Sequence, residues 1–184
     1  MNDLQKKLLE RRVIALGGTV NYDMGFYVKE ALMNLFSQGS PKVLITIDSA
    51  GGNADTGLEI YDTIRAYPGI SVGCALTRAG SAACTILQAC TWRVATQNGK
   101  VLIHHTKFEI SWDVLTDSVK REEFIRSKEH YLNSKLILAR RTSKDLDAIF
   151  KKCDDDNWMP SKEALEFGLL DQVIETFEDI KIPE

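Results

Sequence analysis

A serine lies in a run of very small residues near the middle of the chain. Ser81 has Ala79, Gly80, Ala82 and Ala83 as neighbours, and it follows the apolar "SVGCAL" and precedes the helical "AACTILQAC". A nucleophile on a strand-to-helix turn needs small neighbours so that a substrate carbonyl can approach, as in the G-x-S-x-G elbow. The helix start also offers N–H groups and its positive dipole end to an oxyanion. A tightly packed helix start would select the same small residues, so both interpretations stand at this point.

Two adjacent histidines end a short apolar run, "KVLIHH", and are the candidates for a general base. Side chains alternate across a strand, so only one of His104 and His105 can face the same side as Ser81. Alternation alone does not separate the two. The third histidine, His130, lies in a helical pattern among Lys, Glu and Asn.

An acidic triplet near the carboxyl end could supply the carboxylate that orients a catalytic histidine. Asp154, Asp155 and Asp156 are the candidates, and a solvated loop is the alternative interpretation. Trp158 and Met159 can anchor the neighbouring loop against an apolar surface, which favours Asp156.

A glycine-rich segment, "DSAGGNADTG" (48–57), joins an apolar run to a helical pattern. Gly51 and Gly52 allow a backbone geometry and a close approach that a Cβ would forbid. Such a turn can offer N–H groups to a phosphate or an oxyanion. The G-x-x-x-x-G-K-[ST] spacing is missing, so we expect no nucleotide site. A plain tight turn is the alternative.

The elements that must position these residues alternate along the chain. Five runs have strand length and β-branched content: "RVIAL" (12–16), "KVLITI" (42–47), "ISVGCAL" (70–76), "WRVAT" (92–96) and "KVLIH" (100–104). Helical patterns lie between the first three, with Gly39 and Gly69 at their exits. The order predicts an α/β fold with a mainly parallel sheet. No repeat or linker divides the chain, so we expect one domain over 1–184.

The segment 114–141 contains no Gly or Pro and predicts one long helix. Its length would be about 40 Å, more than the roughly 30 Å diameter of a domain of this size. Its apolar residues at helical spacing are Val119, Ile125, Leu132 and Leu136. A helix that extends beyond its own domain needs a partner surface, which predicts self-association. After it, we expect a helix over 143–152, a short helix capped by Ser161 and ending at Gly168, and a last strand in "DQVIETF".

Composition excludes several classes of protein. The net charge is −3, so no basic field favours nucleic acid. The four cysteines lack C-x-x-C spacing, which indicates reduced thiols and no zinc site. No signal-peptide core and no run of 18 apolar residues is present, so we expect no membrane span and a cytoplasmic location.

Taken in order, these motifs resemble the proteolytic-subunit family of the Clp protease, serine peptidases of the ClpP/crotonase fold. The similarity extends from about Leu8 to Ile174. It rests on "LLERRVIALGGTVN", "ITIDSAGGNADTGLEIYDTI", "AGSAACTILQA", "KVLIHH" and "DDDNWMPSKEALEFGLLDQVI". The resemblance implies a sheet built from ββα-type units and a protruding "handle" helix over about 114–141.

The resemblance also implies roles for individual residues. It makes Ser81 the nucleophile, His104 the base and Asp156 the orienting acid, with the backbone N–H groups of Gly52 and Ala82 as the oxyanion hole. The implied reaction is hydrolysis of peptide bonds in polypeptide substrates through an acyl-enzyme, without a metal or other cofactor on this chain.

For assembly, the resemblance implies rings of seven subunits, stacked in pairs around a chamber, and a separate AAA+ Clp unfoldase that consumes ATP. The sequence departs from the family in several places. Few residues precede "LLERR", and Leu44 and Thr46 stand where aromatic residues help to dock the unfoldase. The segment "HTKFEISWDV" lacks the usual Gln-Pro and glycine-rich strand, and Asp155 replaces an Arg of the ring contact. These departures predict altered assembly or partner choice, as in a divergent or phage-encoded member.

Two other functions share some of these features. A non-catalytic subunit could complete a mixed ring, but such subunits usually lose a triad residue and this chain keeps all three. A crotonase-type acyl-CoA enzyme shares the fold and the oxyanion hole, yet it would not need Ser81, His104 and Asp156 together.

Overall fold

The computed structural model describes residues 1–106 and 112–182. Its strands are β1 (Val13–Val20), β2 (Val43–Gly52), β3 (Ser71–Gly80), β4 (Trp92–Thr96), β5 (Lys100–Leu102), β6 (Met159–Pro160) and β7 (Gln172–Ile174). Its helices are α1 (Asp3–Glu10), α2 (Tyr22–Ser37), α3 (Ala54–Ala66), α4 (Ala82–Ala89), α5 (Trp112–Thr116), α6 (Ser118–Thr142), α7 (Leu146–Asp154) and α8 (Ser161–Phe167), followed by a 3₁₀ turn over Phe177–Asp179.

The sheet has the order β1-β2-β3-β4-β7, and each neighbouring pair is parallel. The short β5 also pairs in parallel with β3, and β6 pairs with β5 in the antiparallel direction. The predicted α/β fold with a mainly parallel sheet is therefore confirmed. The first strand begins at Val13, because α1 takes up the residues before it, including Leu8 and Glu10 of the segment that resembles a first strand.

Strands β2 and β3 are longer than the sequence pattern predicts. β2 continues to Gly52 and β3 to Gly80, beyond a shift in their register after Ile47. Beyond this shift β3 changes partner, pairing with β4 over its first half and with β5 over Arg78–Gly80. The glycines at 51 and 52 are thus the end of a strand, and Asn53 caps the helix that follows by accepting from the Thr56 N–H at 2.8 Å.

The main core lies between the sheet and helices α2, α3 and α4. Its largest fully buried side chains are Ile14, Leu35, Ile45, Ile47, Ile60, Ile64, Ile86 and Leu87. Each such side chain contributes about 1.5–3 kcal/mol through its removal from water. The β-branched residues of β1 and β2, the alanines Ala75 and Ala79 of β3 and the aliphatic face of each helix therefore pack into one core that supports the carboxyl ends of β2 and β3.

The long helical segment is divided in two. The predicted single helix over 114–141 is wrong at its amino-terminal end, because Asp117 ends α5 and caps α6, accepting from Val119 N at 2.8 Å. α6 itself has 25 residues and a length of about 37 Å. Its buried residues are confined to the last third: Lys135, Ile137 and Leu138. The first turns, up to about Arg126, are almost entirely exposed and project from the domain, as predicted for a handle.

The carboxyl-terminal elements match the sequence pattern with two corrections. The helix predicted over 143–152 is α7, which starts later because Asp145 caps it. Ser161 is not a cap: its hydroxyl donates to the Gln97 carbonyl at 2.9 Å, and Pro160 occupies the cap position of α8. Gly168 ends α8 with φ of +94°, as predicted.

Residues 107–111, half of the departing segment "HTKFEISWDV" (105–114), lie outside the described residues. In the part of the chain that is described, none of the helices combines the length and the apolar character that crossing a bilayer requires.

Candidate active site

Ser81 occupies the turn between β3 and α4 in an unusual backbone conformation. Its φ is +53° and its ψ −123°, which costs a residue with a side chain about 1–3 kcal/mol. Its N–H donates to the Leu102 carbonyl at 2.9 Å, a bond that ties the turn to the end of β5. Strain of this kind persists only where the surroundings hold it, and it is characteristic of a nucleophile elbow.

The end of β2 packs directly against this turn. A Cβ at Gly51, where φ is +110°, would lie 2.7 Å from the Gly80 carbonyl oxygen and 2.7 Å from Ser81 Cβ. Only glycine fits there, so the close approach predicted from the "AGGN" sequence is present. The neighbouring Gly52 lines the same cavity as Ser81 and Ala82. Since Ala82 is the first residue of α4, its N–H has no partner within that helix.

The small residues around Ser81 serve packing as well as access. Ala79, Ala82 and Ala83 are buried in the main core. A Cβ at Gly80 would lie 2.6 Å from the Trp158 ring, so that glycine gives the indole its place beside the nucleophile turn. Of these four neighbours only Ala82 lines the cavity in front of Ser81. Packing therefore explains Ala79, Gly80 and Ala83, whereas Ala82 also borders the space that a substrate would enter.

The two histidines after β5 diverge. His104 lines the cavity that Ser81 lines. The ring of His105 turns away: its Nδ1 lies 2.6 Å from the Tyr131 hydroxyl, and its Nε2 lies 2.9 Å from Asp154 Oδ1. The strand predicted over 100–104 ends at Leu102, so both histidines lie beyond it, and their rings still take different sides. The tertiary structure puts His104 on the side of the serine.

The three aspartates of the acidic triplet have three different neighbours. Asp156 Oδ1 lies 3.7 Å from His104 Nδ1, whereas Asp154 contacts His105 and Asp155 pairs with Lys152 at 2.7 Å. The loop is positioned by the pairing of Met159 with β5 and by the Trp158 ring against Gly80. Trp158 and Met159 therefore anchor this loop as the sequence indicates.

Hydrogen bonds do not yet connect the candidate triad. The 3.7 Å separation of Asp156 and His104 exceeds hydrogen-bond distance. Within the described residues, Ser81 and His104 share a cavity without a hydrogen bond between them. Catalytic hydrogen bonds are commonly long in the absence of substrate and tighten when it binds.

The cavity in front of Ser81 has a volume of about 310 Å³. Its far wall is formed by α6 and by the start of α3, where His130 Nδ1 contacts the Asp55 carboxylate. Sequence reasoning missed His130, Asp55 and Lys135 as site residues. The signal was present in α6, since Ser127, His130, Ser134 and Leu138 recur at helical spacing and all line the cavity.

Burial lowers the pKa of His104 below its usual value of 6.5. The carboxylate of Asp156 opposes this effect, while the positive charge of Lys135 adds to it. The imidazole is therefore neutral at pH 7, the form that accepts a proton. Over residues 1–106 and 112–182, no three His, Cys, Asp or Glu side chains gather in a way that could hold a metal ion.

A serine on a strained turn, a neutral histidine on the same cavity, a carboxylate behind that histidine and a helix start beside the serine are the parts of a serine hydrolase. Comparison with known proteins gives the family. The Clp protease family model matches residues 1–177. The chain is 30% identical over 174 residues to the "ATP-dependent Clp protease proteolytic subunit" of Carsonella ruddii (strain PV), covering 94% of this chain and 88% of that relative.

A solved structure agrees. An Asn-to-Asp mutant of ClpP1 from Listeria monocytogenes superposes with a TM-score of 0.78 at 25% sequence identity, covering 95% of this chain and 98% of that chain. The chain belongs to the Clp protease family and is a serine-type protease.

The lowered pKa of His104 predicts where the rate falls with acidity. Because the neutral imidazole is the active form, kcat/KM for a short fluorogenic peptide should stay constant down through pH 7. It should fall only below the ordinary histidine value of 6.5. In Asp156→Asn, loss of the carboxylate should move this acid limb to still lower pH and reduce kcat by at least about tenfold. An acid limb centred above pH 7 in the parent protein would contradict this account.

Proposed function

We propose that this chain cleaves peptide bonds in polypeptide substrates through an acyl-enzyme formed on Ser81, with His104 as general base and Asp156 as the orienting carboxylate. The observation that carries the proposal is the shared cavity: Ser81, His104 and the first residue of α4 face it, and Asp156 stands behind the histidine. The family assignment supplies the reaction class.

The steps follow from this arrangement. Neutral His104 accepts the proton of the Ser81 hydroxyl as its oxygen bonds to the carbonyl carbon of the peptide. His104 then delivers that proton to the leaving amine as the C–N bond breaks, which leaves the acyl group on Ser81. Hydrolysis of the acyl-enzyme follows the same steps. A water molecule gives a proton to His104 as its oxygen attacks the ester carbonyl, and His104 then returns that proton to the Ser81 oxygen as its bond to the acyl carbon breaks.

The developing oxyanion needs donors that are already in place. Gly52 and Ala82 line the cavity beside Ser81, and we assign the oxyanion to their backbone N–H groups, next to the positive end of α4. One such donor contributes about 2.7–4 kcal/mol to the transition state in a serine protease. Because Gly51 packs closely on Ser81, the ends of β2 and β3 hold the proposed donor Gly52 and the proposed nucleophile Ser81 at a fixed separation.

The loose triad favours one alternative, a subunit that completes a ring without catalysing. The 3.7 Å gap between Asp156 and His104 is the observation behind it. A movement of less than about 1 Å by the exposed Asp156 would close this gap to hydrogen-bond distance. The crotonase-type alternative has no such support, since both named relatives are Clp proteins.

Subunits of the Clp protease family assemble into rings and work with Clp unfoldases. We propose that this chain forms seven-membered rings that stack in pairs through the projecting turns of α6. These turns expose apolar side chains, including Val119, which is 62% accessible, and Ile125. Leu44 on β2 is half-buried and lines a surface cavity together with Val72 and Phe177. We propose this cavity as the contact site for an AAA+ unfoldase, to which β2 contributes an aliphatic side chain.

The cysteines support a proposal for the compartment. All four cysteines are buried and unpaired, namely Cys74, Cys84, Cys90 and Cys153. Reduced thiols are typical of the cytoplasm, which is the location we propose.

A fluorophosphonate probe tests the nucleophile. The parent protein should be labelled on Ser81, because the probe reacts with a hydroxyl activated by a neighbouring base. Ser81→Ala should show no labelling by mass spectrometry. Ser71→Ala serves as the matched control, since the Ser71 hydroxyl is buried against Thr91 away from the cavity. A fully assembled parent that stays unlabelled would establish the non-catalytic subunit instead.

Replacing each histidine in turn tests the choice of base. His104→Ala should lower kcat at least about a thousandfold, the usual consequence of losing the base of a serine triad. His105→Ala should retain most of the rate, because the ring of His105 points to Tyr131 and Asp154. Peptidase assays on both purified variants give the answer. Loss of activity in the His105 variant alone would mean that the wrong side of the strand has been chosen.

Light scattering tests assembly through the handle. The parent should have the molecular mass of one ring or of a stacked pair of rings. Ile125→Asp should give an assembly of lower mass, because the aspartate charge would be buried at the proposed contact between rings. Lys120→Gln, exposed on a side of α6 turned away from Val119 and Ile125, is the control and should leave the mass unchanged. A parent protein that is a stable monomer would contradict the proposed role of α6.

A further inference from the structure

A buried lysine stands behind the candidate base. Lys135 lies in the last third of α6 and is only 4% accessible. Its ammonium donates to the backbone carbonyl of His104 at 2.6 Å. It also contributes to the lining of the cavity that holds Ser81. A lysine is almost never buried to this extent unless its charge is paired.

No carboxylate lies within 4 Å of this ammonium in the described ranges. Its neighbours are neutral: the His104 carbonyl, the face of the Tyr131 ring at 4.9 Å from Nζ, and the nearby thiol of Cys153, whose pKa burial raises. A buried cation without a counterion costs several kcal/mol after relaxation. An apolar residue would fill the same space at lower cost, so the positive charge itself needs an explanation.

The backbone of His104 lies beyond the reach of the sheet. The β5 ladder with β3 ends at Leu102, and the last bond there is from Ser81 N–H to the Leu102 carbonyl. Lys135 supplies a strong, charge-assisted bond two residues further along. The peptide that carries the candidate base is therefore fixed from α6.

Several charges face His104 from the elements around it. Asp156 lies on the side of ring Nδ1 and favours the imidazolium, whereas Lys135 and the neighbouring His105 disfavour it. Asp154 is engaged by His105. Across the cavity, Asp55 is paired with His130. Lys135 is thus the one permanent cation acting on the base in the described part of this site.

We propose that Lys135 is a positioning residue for the peptidase reaction: its ammonium holds the His104 carbonyl and, together with burial, favours the neutral imidazole that accepts the proton of Ser81. The proposal rests on the function proposed above. It assigns two separable effects to one side chain, a hydrogen bond that sets geometry and a charge that sets protonation.

Three substitutions separate these effects. Lys135→Met keeps the length and apolar stem of the side chain but removes both the donor and the charge. Lys135→Gln retains a donor without the charge, and Lys135→Arg retains both. Circular dichroism and light scattering first establish that each variant is folded and assembled like the parent.

The first measurement is independent of activity. The chain has three histidines, so selective ¹³C labelling in a Ser81→Ala background gives few imidazole signals to follow against pH. The His104 midpoint should move to higher pH in Lys135→Met and in Lys135→Gln, because a positive charge that disfavours imidazolium has been removed. It should remain near the parent value in Lys135→Arg.

The second measurement is the pH profile of kcat/KM with Ser81 present. At pH 8, Lys135→Met should lose roughly tenfold through misplacement of the base. Its acid limb should also move to higher pH, which makes the loss larger at pH 6. Lys135→Gln should recover part of the rate at pH 8 but keep the displaced limb, and Lys135→Arg should recover both.

A merely structural lysine would behave differently. An unchanged His104 midpoint in both uncharged variants, or an equal shift in the Arg variant, would overturn the proposal. If the parent is not labelled by a fluorophosphonate, the peptidase function fails, yet the titration of His104 still decides whether Lys135 governs its charge.

Discussion

The active site depends on how closely the ends of two parallel strands approach each other. Gly51 at the end of β2 lies so near Gly80 and Ser81 that no side chain fits between them. Gly52, the next residue, lines the same cavity as Ser81, and Ser81 stands at positive φ against this contact. The apolar core beneath the sheet stabilises the approach, since buried isoleucines of β2, α3 and α4 pack there with Ala75 and Ala79 of β3. Strain at one residue is thus offset by burial at many others.

Charge around His104 is balanced by groups from separate parts of the chain. Partial burial and the Lys135 ammonium favour a neutral ring, while Asp156 favours the protonated one. A general base needs both tendencies: it must be neutral before the reaction, and its cation must be stabilised in the transition state. At 3.7 Å, the Asp156 carboxylate stabilises the His104 imidazolium less than it would at hydrogen-bond distance.

Helix α6 joins the site to the exterior of the subunit. Its last third is buried, where Lys135 holds the His104 carbonyl and Tyr131 contacts the His105 ring. Its first turns project with exposed apolar side chains such as Val119. One rigid helix therefore carries both the support of the candidate base and the surface proposed for assembly. The split at Asp117 limits this rigid unit to 25 residues.

The sequence by itself determined the fold class, the family and the candidates for each role. Strand-length apolar runs that alternate with helical patterns predict a parallel sheet, and functional residues at strand ends meet at one edge of it. Ser81 beside small residues and the glycines before α3 were identified in this way. Patterns of this kind are local in the chain, so one sequence carries them without any knowledge of contacts.

The residue patterns left open the choices that depend on distant partners; the resemblance implied His104 and Asp156, and the tertiary structure brings these two side chains to 3.7 Å from each other. Which of the two histidines and which of the three aspartates meet is set by the β5–β6 pairing and by the Trp158 ring against Gly80, contacts between residues far apart in the chain. Lys135 and the His130–Asp55 pair became visible only when α6 was laid across the cavity. From the sequence alone, a charged residue in a helical pattern is predicted to be solvent-exposed, because charged side chains are usually hydrated. Only packing shows when one of them is buried.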